Sequence, residues 1–302
     1  MKNCQTGIAY SNDGENKKLI DIITGERPSL SFEVFPPKSS DTYDSVRHAT
    51  EEIAKLRPSY MSVTYGAGGG TSDFTVSIAA NLKNNFGVTP LAHLTCVSSS
   101  KEQVRQQLQL LKDQGITNVL ALRGDIPTGM DTGSLDYHYA SELIADIRAF
   151  GGFCIGGACY PESHPDSRTC TEDVRYLKEK VDSGCEFLTT QMFFDNNILY
   201  NFLYRIREAG IQVPVVAGIM PVTNPSQIKR ICSISGTALP QRFRRIIDWF
   251  GDSPAAVMQA GIAYATEQVI DLLANGIHAV HIYSMNKPEV AARIQQNLSA
   301  IL

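Results

Sequence analysis

Leu30-Ser31-Phe32-Glu33-Val34-Phe35-Pro36-Pro37-Lys38 is the stretch on which the fold turns. An apolar, strand-like run carries one carboxylate near its centre and stops at two prolines, which cannot donate to a sheet ladder. Side chains alternate along a strand, so Glu33 faces one way and Phe32 and Val34 the other. In a strand buried on both faces, an unpaired ionised Glu costs several kcal/mol or keeps its proton through a raised pKa. A neutral, positioned carboxylic acid is what general-acid catalysis at neutral pH requires. A Glu salt-bridged inside a barrel fits the same residues.

Working outward, seven further strand-like runs follow, near Tyr60–Thr64, Leu91–Thr95, Asn118–Leu122, Phe153–Ala158, Phe187–Met192, Val213–Ile219 and Ala279–Tyr283. Amphipathic stretches separate them. Helices are expected over Asp44–Leu56, Lys101–Gln114, Ser141–Phe150, Thr171–Ser183, Asn197–Ala209 and Pro225–Ile234. Gly115 suits a C-cap, and Thr171 followed by Glu172 and Asp173 reads as an N-cap with acids in the first turn. Two more helices, Pro240–Phe250 and Ser253–Asn275, precede the last strand, and Lys287–Leu302 closes the chain. Strict alternation of strand and helix argues for a parallel sheet. Eight units match an α/β single (β/α)8 TIM barrel, which takes about 250 residues. The extra helices fall before its last strand. An open doubly wound sheet is the alternative, but Gly66-Ala-Gly68-Gly69-Gly70-Thr71 fails the dinucleotide fingerprint at its last position. The expected organisation is an N-terminal extension over residues 1–24, free to move, and one domain over residues 25–302.

The 302 residues carry a net charge of −4 and are 43% hydrophobic. That argues against a nucleic-acid partner, which shows as a basic stripe. Arg242, Arg244 and Arg245 beside Trp249 read as a solvated helix face. Seven scattered cysteines with no CxxC pair exclude zinc-ribbon and cluster-binding spacings and fit a reducing, cytoplasmic compartment. The longest apolar run, Val213 to Pro221, is too short to span a bilayer, so no membrane association is expected.

A barrel carries its active site at the C-terminal strand ends. Glu33, Thr64, Tyr65, His93, Thr95, Arg123, Asp125, Tyr160, Glu162, His164, Gln191, Tyr283, Asn286 and Lys287 lie at or just beyond those ends. His93 alone is equally a satisfied core histidine, the Gly66–Gly70 loop equally a tight turn, and Arg123 with Asp125 equally an ion pair. His278 and His281 face opposite ways in a strand, and His164 has no second ligand at helical spacing, so no metal is assigned.

Six segments in order, Ser-Phe-Glu33-Val-Phe-Pro-Pro-Lys, Ser-Val-Thr64-Tyr-Gly-Ala, Ala-His93-Leu-Thr-Cys, Leu-Arg123-Gly-Asp125, Tyr160-Pro-Glu-Ser-His164-Pro and Thr-Gln191-Met-Phe-Phe-Asp, resemble methylenetetrahydrofolate reductases of the bacterial type. The resemblance runs from about residue 28 to 302. It implies an FAD-dependent enzyme that uses NADH or NADPH in a ping-pong reduction of 5,10-methylenetetrahydrofolate to 5-methyltetrahydrofolate, feeding methionine synthesis. It also implies a catalytic domain without the regulatory domain of eukaryotic members. Glu33 matches the family's general acid. Tyr65, Ala67, His93, Arg123, Gly124, Asp125, Ala140, Tyr160, His164, Ser167, Asp173 and Lys180 match flavin-binding positions. Thr64 matches a nicotinamide position. Asp125, Gln191, Gln227 and Lys287 match folate contacts. Glu179, Lys287 and Met192 depart from common family choices, which are a basic residue, an arginine and an aromatic. A homo-oligomer is expected. Two other readings fit a barrel of this kind. One is a flavin-free lyase, against which the lack of a strand lysine counts. The other is a flavin- and folate-binding subunit that needs an iron–sulfur partner.

Overall fold

The computed structural model describes residues 17–37, 39–65, 72–126, 129, 133 and 135–302. Eight parallel strands close into a barrel in chain order: β1 Ser29–Val34, β2 Met61–Val63, β3 Pro90–Thr95, β4 Asn118–Leu122, β5 Cys154–Cys159, β6 Phe187–Thr190, β7 Val215–Ile219 and β8 Ala279–Tyr283. Helix α1, Leu19–Ile23, precede them. The helices α2 Tyr43–Ala54, α3 Ser72–Phe86, α4 Lys101–Asp113, α5 Ala140–Phe150, α6 Cys170–Asp182, α7 Asn196–Glu208 and α8 Pro225–Ser235 each follow a strand. Two more, α9 Gln241–Phe250 and α10 Pro254–Ala274, lie between α8 and β8, and α11 Pro288–Leu298 ends the order. The alternation expected from the sequence is therefore present, with the extra helices before the last strand.

Parity along β1 explains the layering. Leu30, Phe32 and Val34 turn outward into the main core shared with helix residues such as Ile53, Ile78 and Ile294. Ser29, Ser31 and Glu33 turn toward the barrel axis. β1 pairs on both sides, with Glu33 opposite Ser62 of β2 and Tyr283 of β8.

Local signals set the helix ends. Ser100 and Gln103 form a capping box at α4, whose exit passes through Gly115 at φ 64°. At α6 the cap is Thr169, not Thr171. Its hydroxyl accepts from the Glu172 N–H at 3.1 Å while Glu172 Oε2 reaches back to the Arg168 N–H at 2.7 Å. This reciprocal pair starts the helix one turn position earlier than the acidic signal suggested.

The floor of the barrel is shut by α1, a helix not foreseen in the sequence. Leu19 and Ile23 bury against Tyr60, Leu91, Phe187 and Val216. Asn118 fixes α1 in place: its Oδ1 accepts from the Leu19 N–H at 2.8 Å and its amide donates to Lys17 O. Residues 1–16 of the expected extension lie outside the described residues.

Candidate active site

The open end of the barrel lies at the C-terminal strand ends. Glu33 reaches it near the end of β1, with its side chain 20% exposed. Its backbone is clamped from the loop after β8. Ser284 Oγ donates to Glu33 O at 2.6 Å, and Asn286 brackets the next peptides, accepting from the Phe35 N–H at 3.0 Å and donating to Phe35 O at 2.9 Å. Met285 and Asn286 both adopt left-handed φ near 54°, and this turn aims the Asn286 amide back at β1.

His93, buried on β3, brings its Nε2 to 3.7 Å from Glu33 Oε2, and no hydrogen-bond partner reaches that nitrogen. The separation allows an ion pair, but burial argues otherwise. Desolvation pushes the Glu33 carboxyl up to about 8 and the His93 imidazole down to about 3. At neutral pH the favoured state is a carboxylic acid beside a neutral ring. Burial thus favours the protonated reading of Glu33 over the salt-bridged one. Tyr283 flanks the acid from β8, and its hydroxyl donates to Thr190 O. Burial and the nearby carboxyl hold this phenol well above its ordinary pKa.

A second group of residues gathers at β4, β5 and α6. Arg123 follows β4 and places Nη2 2.9 Å from Asp166 Oδ2. Gly124 takes φ 87°, and a Cβ there would meet Thr95 Cβ at 3.1 Å and Val97 Cγ1 at 3.2 Å. Only glycine makes this turn without strain. Asp125 stands exposed beyond it, and Ala140 is half-buried at the start of α5. His164 packs edge-on against Tyr160 at 4.5 Å and accepts from the Asp166 N–H through Nδ1 at 3.0 Å. That bond leaves the proton on Nε2 in the neutral ring. Burial lowers the pKa of His164, and the opposing effects of Asp166 and Arg123 follow. Asp173 Oδ1 accepts from the His164 N–H at 3.2 Å and from Ser167 Oγ at 3.1 Å.

Lys180 reaches this group along the outer face of β5. Its stem crosses Gly157, where a Cβ would sit 2.9 Å from Lys180 Cδ, and its ammonium donates to Ala158 O at 2.6 Å. Burial lowers its pKa.

Thr64 and Tyr65 follow β2 and are half-buried, with Thr64 O accepting from Thr75 Oγ1 at 2.9 Å. Ala67 and the glycine loop around it lie outside the described residues. On the opposite rim, Gln191 anchors its N–H on Cys159 O, and its side-chain oxygen accepts from the Met192 N–H at 3.0 Å. Gln227 sits in the first turn of α8, in a small pocket with Thr223, Asn224 and Met285. Lys287 caps α11 and donates to Thr223 Oγ1 at 2.7 Å, so it falls beside Gln227. Of the expected residues described, Glu33 meets His93, Arg123 through Lys180 gather at β4, β5 and α6, and Gln227 and Lys287 are linked through Thr223. Thr64, Tyr65 and Gln191 stand apart at the ends of β2 and β6.

Two departures take a different meaning in three dimensions. Met192 is buried in a cluster with Phe194, Val222 and Phe243, against which Tyr283 also packs. Glu179 lies exposed on α6 and pairs with Arg175 at 3.4 Å, facing solvent. Sequence reasoning missed Ser31, Ser62 and Ser284 altogether and treated His281 only as a poor metal ligand. The parity of β8, which puts His281 on the same face as Tyr283, is the signal that finds it.

The family profile described as methylenetetrahydrofolate reductase matches residues 18–299. The chain belongs to the methylenetetrahydrofolate reductase family. A 5,10-methylenetetrahydrofolate reductase of Pectobacterium carotovorum is 34% identical over 290 residues, covering 96% of each chain. The maize methylenetetrahydrofolate reductase (NADH) 1 is 36% identical over 299 residues. That match covers 94% of this chain and 50% of the maize protein, so the chain spans about half the length of its plant relatives. A solved Clostridium thermocellum protein, described as binding two copies of 5-methyl-5,6,7,8-tetrahydrofolic acid, superimposes with a TM-score of 0.63 at 14% identity. It covers 93% of this chain and 97% of its own, and it supports the barrel fold alone. No helix among the described residues is long and apolar enough to cross a membrane.

Proposed function

We propose that the protein reduces 5,10-methylenetetrahydrofolate to 5-methyltetrahydrofolate, with NADH or NADPH as donor and FAD as bound carrier, and so feeds methionine synthesis. The observation that carries this reading is Glu33: a carboxyl that burial holds protonated, at the mouth of a barrel, beside a neutral imidazole with an unused nitrogen. The donor set also fits a flavin dinucleotide. Arg123 and Lys180 supply two cations on one side of the rim for a pyrophosphate, and His93 offers an orphaned polar atom toward the mouth.

FAD, when bound, would supply the redox carrier between nicotinamide and folate. The residues of the chain do the rest. Arg123, Lys180, His164, Ser167 and Asp173 would hold the dinucleotide, with Tyr65, Gly124, Ala140 and Tyr160 beside it; Ala67, outside the described residues, is assigned to it by the family resemblance alone. Thr64 contacts the nicotinamide. Gln191 and Asp125 orient the pterin edge, while Gln227 and Lys287 stand together at the far rim for the rest of the folate. Lys287 is a point charge rather than a bidentate fork, so it selects charge more than geometry. Glu33 holds its proton until the folate arrives and delivers it to the ring nitrogen that must leave the methylene carbon. The resulting iminium is the hydride acceptor.

The test is an anaerobic absorbance experiment on FAD-loaded protein. Bleaching by NADH followed by recovery on methylenetetrahydrofolate is expected. Bleaching without recovery would remove the folate assignment, and failure to bind FAD would remove the whole reading.

A further inference from the structure

Beneath Glu33 the barrel is polar where such barrels are normally filled by branched apolar side chains. His281 on β8 is 1% exposed and points to the axis. Its ring spans two strands. Nδ1 lies 2.7 Å from Ser31 Oγ on β1, and Nε2 lies 2.9 Å from Ser62 Oγ on β2. Ser31 stands one inward position below Glu33, and Ser62 is the register partner of Glu33. Tyr60 stacks on the ring at 5.5 Å and 6°, and Tyr283 meets it edge-on at 5.7 Å.

Counting protons narrows the state of this ring. A serine hydroxyl has one proton to give. Ser31 Oγ lies 3.0 Å from Val280 O and 2.7 Å from Nδ1, so that proton serves one of the two. With the proton on Val280 O, the Ser31 oxygen accepts at Nδ1, which then carries a hydrogen. Nε2 is left with a lone pair, and Ser62 is the hydroxyl placed to donate to it. A second proton on the ring would have to displace the Ser62 hydrogen bond inside a buried site.

We propose that Ser31 and Ser62 lock His281 as a neutral Nδ1–H imidazole, and that this uncharged ring is a positioning residue that lets Glu33 keep its proton. The inference rests on the general-acid reading of Glu33. A cation at this depth would favour the carboxylate above it and so remove the acid. The titratable groups that face the ring are His93 from β3, Tyr60 ahead of β2 and Tyr283 on β8, with Glu33 above. His93 and the two phenols are neutral at pH 7, which leaves Glu33, one inward position above Ser31, as the acid a charge on the ring would reach. Burial, reinforced by His93, holds the basicity of His281 down to about 3, which agrees with the proton count.

The first experiment is side-chain 15N NMR of histidine-labelled wild-type protein without FAD, with His281 assigned by its loss in His281→Gln. The expected result is a proton on Nδ1 and none on Nε2, unchanged from pH 6 to pH 9. An Nε2–H tautomer or a charged ring in that range would overturn the lock. The second experiment measures the pH profile of the folate half-reaction in Ser62→Ala. Loss of the donor at Nε2 leaves the lone pair free to take a proton. A ring that then gains a proton moves the acid-dependent limb to lower pH, with flavin reduction by NADH unchanged. Ser62→Thr, which keeps the hydroxyl, should restore the wild-type profile. A lower rate with an unmoved profile would make the ring merely structural and overturn the positioning role. Loss of folate reduction in Glu33→Gln, measured alongside, separates the two readings: if that variant keeps the reaction, the acid assignment fails first.

Discussion

The two sides of the barrel mouth treat charge in opposite ways. On the β8–β1–β3 side, Glu33, His93 and His281 are buried, and burial rather than pairing sets their state. On the β4–β5–α6 side, charges are kept and paired with one another. Arg123 meets Asp166 at 2.9 Å, the arginine side chain 27% and the aspartate 62% exposed, and Asp173 collects two donors. The first side strips charge and stores a proton. The second keeps cations where an anionic ligand can exchange for internal partners. On the proposed function, chemistry would fall to the first half and cofactor binding to the second, where Arg123 is partly exposed and Lys180 is buried.

The sharpest way to break this contrast is Glu33→Gln, which keeps shape and removes the proton. The folate half-reaction should fall by roughly 10²–10⁴-fold, the range of a lost general acid, while the NADH half-reaction stays near wild type in stopped flow. Equal losses in both would put Glu33 among binding groups and erase the division.

The same substitution should stabilise the protein without FAD in a pH-dependent way. Glu33 ionises near 4.5 when unfolded and near 8 when folded. Between these values the folded state binds the extra proton, so its stability falls as pH rises. The melting advantage of Glu33→Gln should thus grow from pH 5 to pH 8, reaching on the order of a few kcal/mol. His93 works in the mirror window. Its folded value near 3 lies below 6.5, so its cost appears as pH falls below 6.5. An advantage that does not change with pH would show that the carboxyl is not desolvated.

On the wetter side the effects are smaller. Arg123→Ala should weaken FAD retention by about 1.5–3 kcal/mol, the worth of a charge-assisted hydrogen bond. Equilibrium dialysis of the flavin checks it, and unchanged retention would remove the phosphate role. Smallest of all, Glu179→Ala loses one exposed i,i+4 pair and should cost about 0.3–0.5 kcal/mol in denaturant melts, with flavin affinity unaltered.

The barrel was legible because its signals are local. Each strand is a short apolar run and most helices announce an end, as Gly115 does for α4. Glu33 was legible because a carboxylate inside such a run has few explanations. The floor was not, since Leu19 and Ile23 make only a short helix whose burial depends on Asn118, some hundred residues on. Asn286 was visible as a polar residue beyond β8, but its grip on Phe35 needs the closed barrel that brings β8 beside β1. The state of His281 needed more still, because hydroxyls from two other strands decide it. The burial of Met192 beside Phe194 and Phe243 was not legible, because position in a motif says nothing about which way a side chain turns after the strand ends.

The account stands on a proton that Glu33 holds at neutral pH. A 13C NMR titration of glutamate-labelled protein, with the Glu33 signal assigned by its loss in Glu33→Gln, reads that proton directly. The predicted result is a carboxylic acid at pH 7 with a midpoint near 8. A midpoint in the ordinary carboxylate range would mean an ionised Glu33 beside His93, and the general-acid role would go with it.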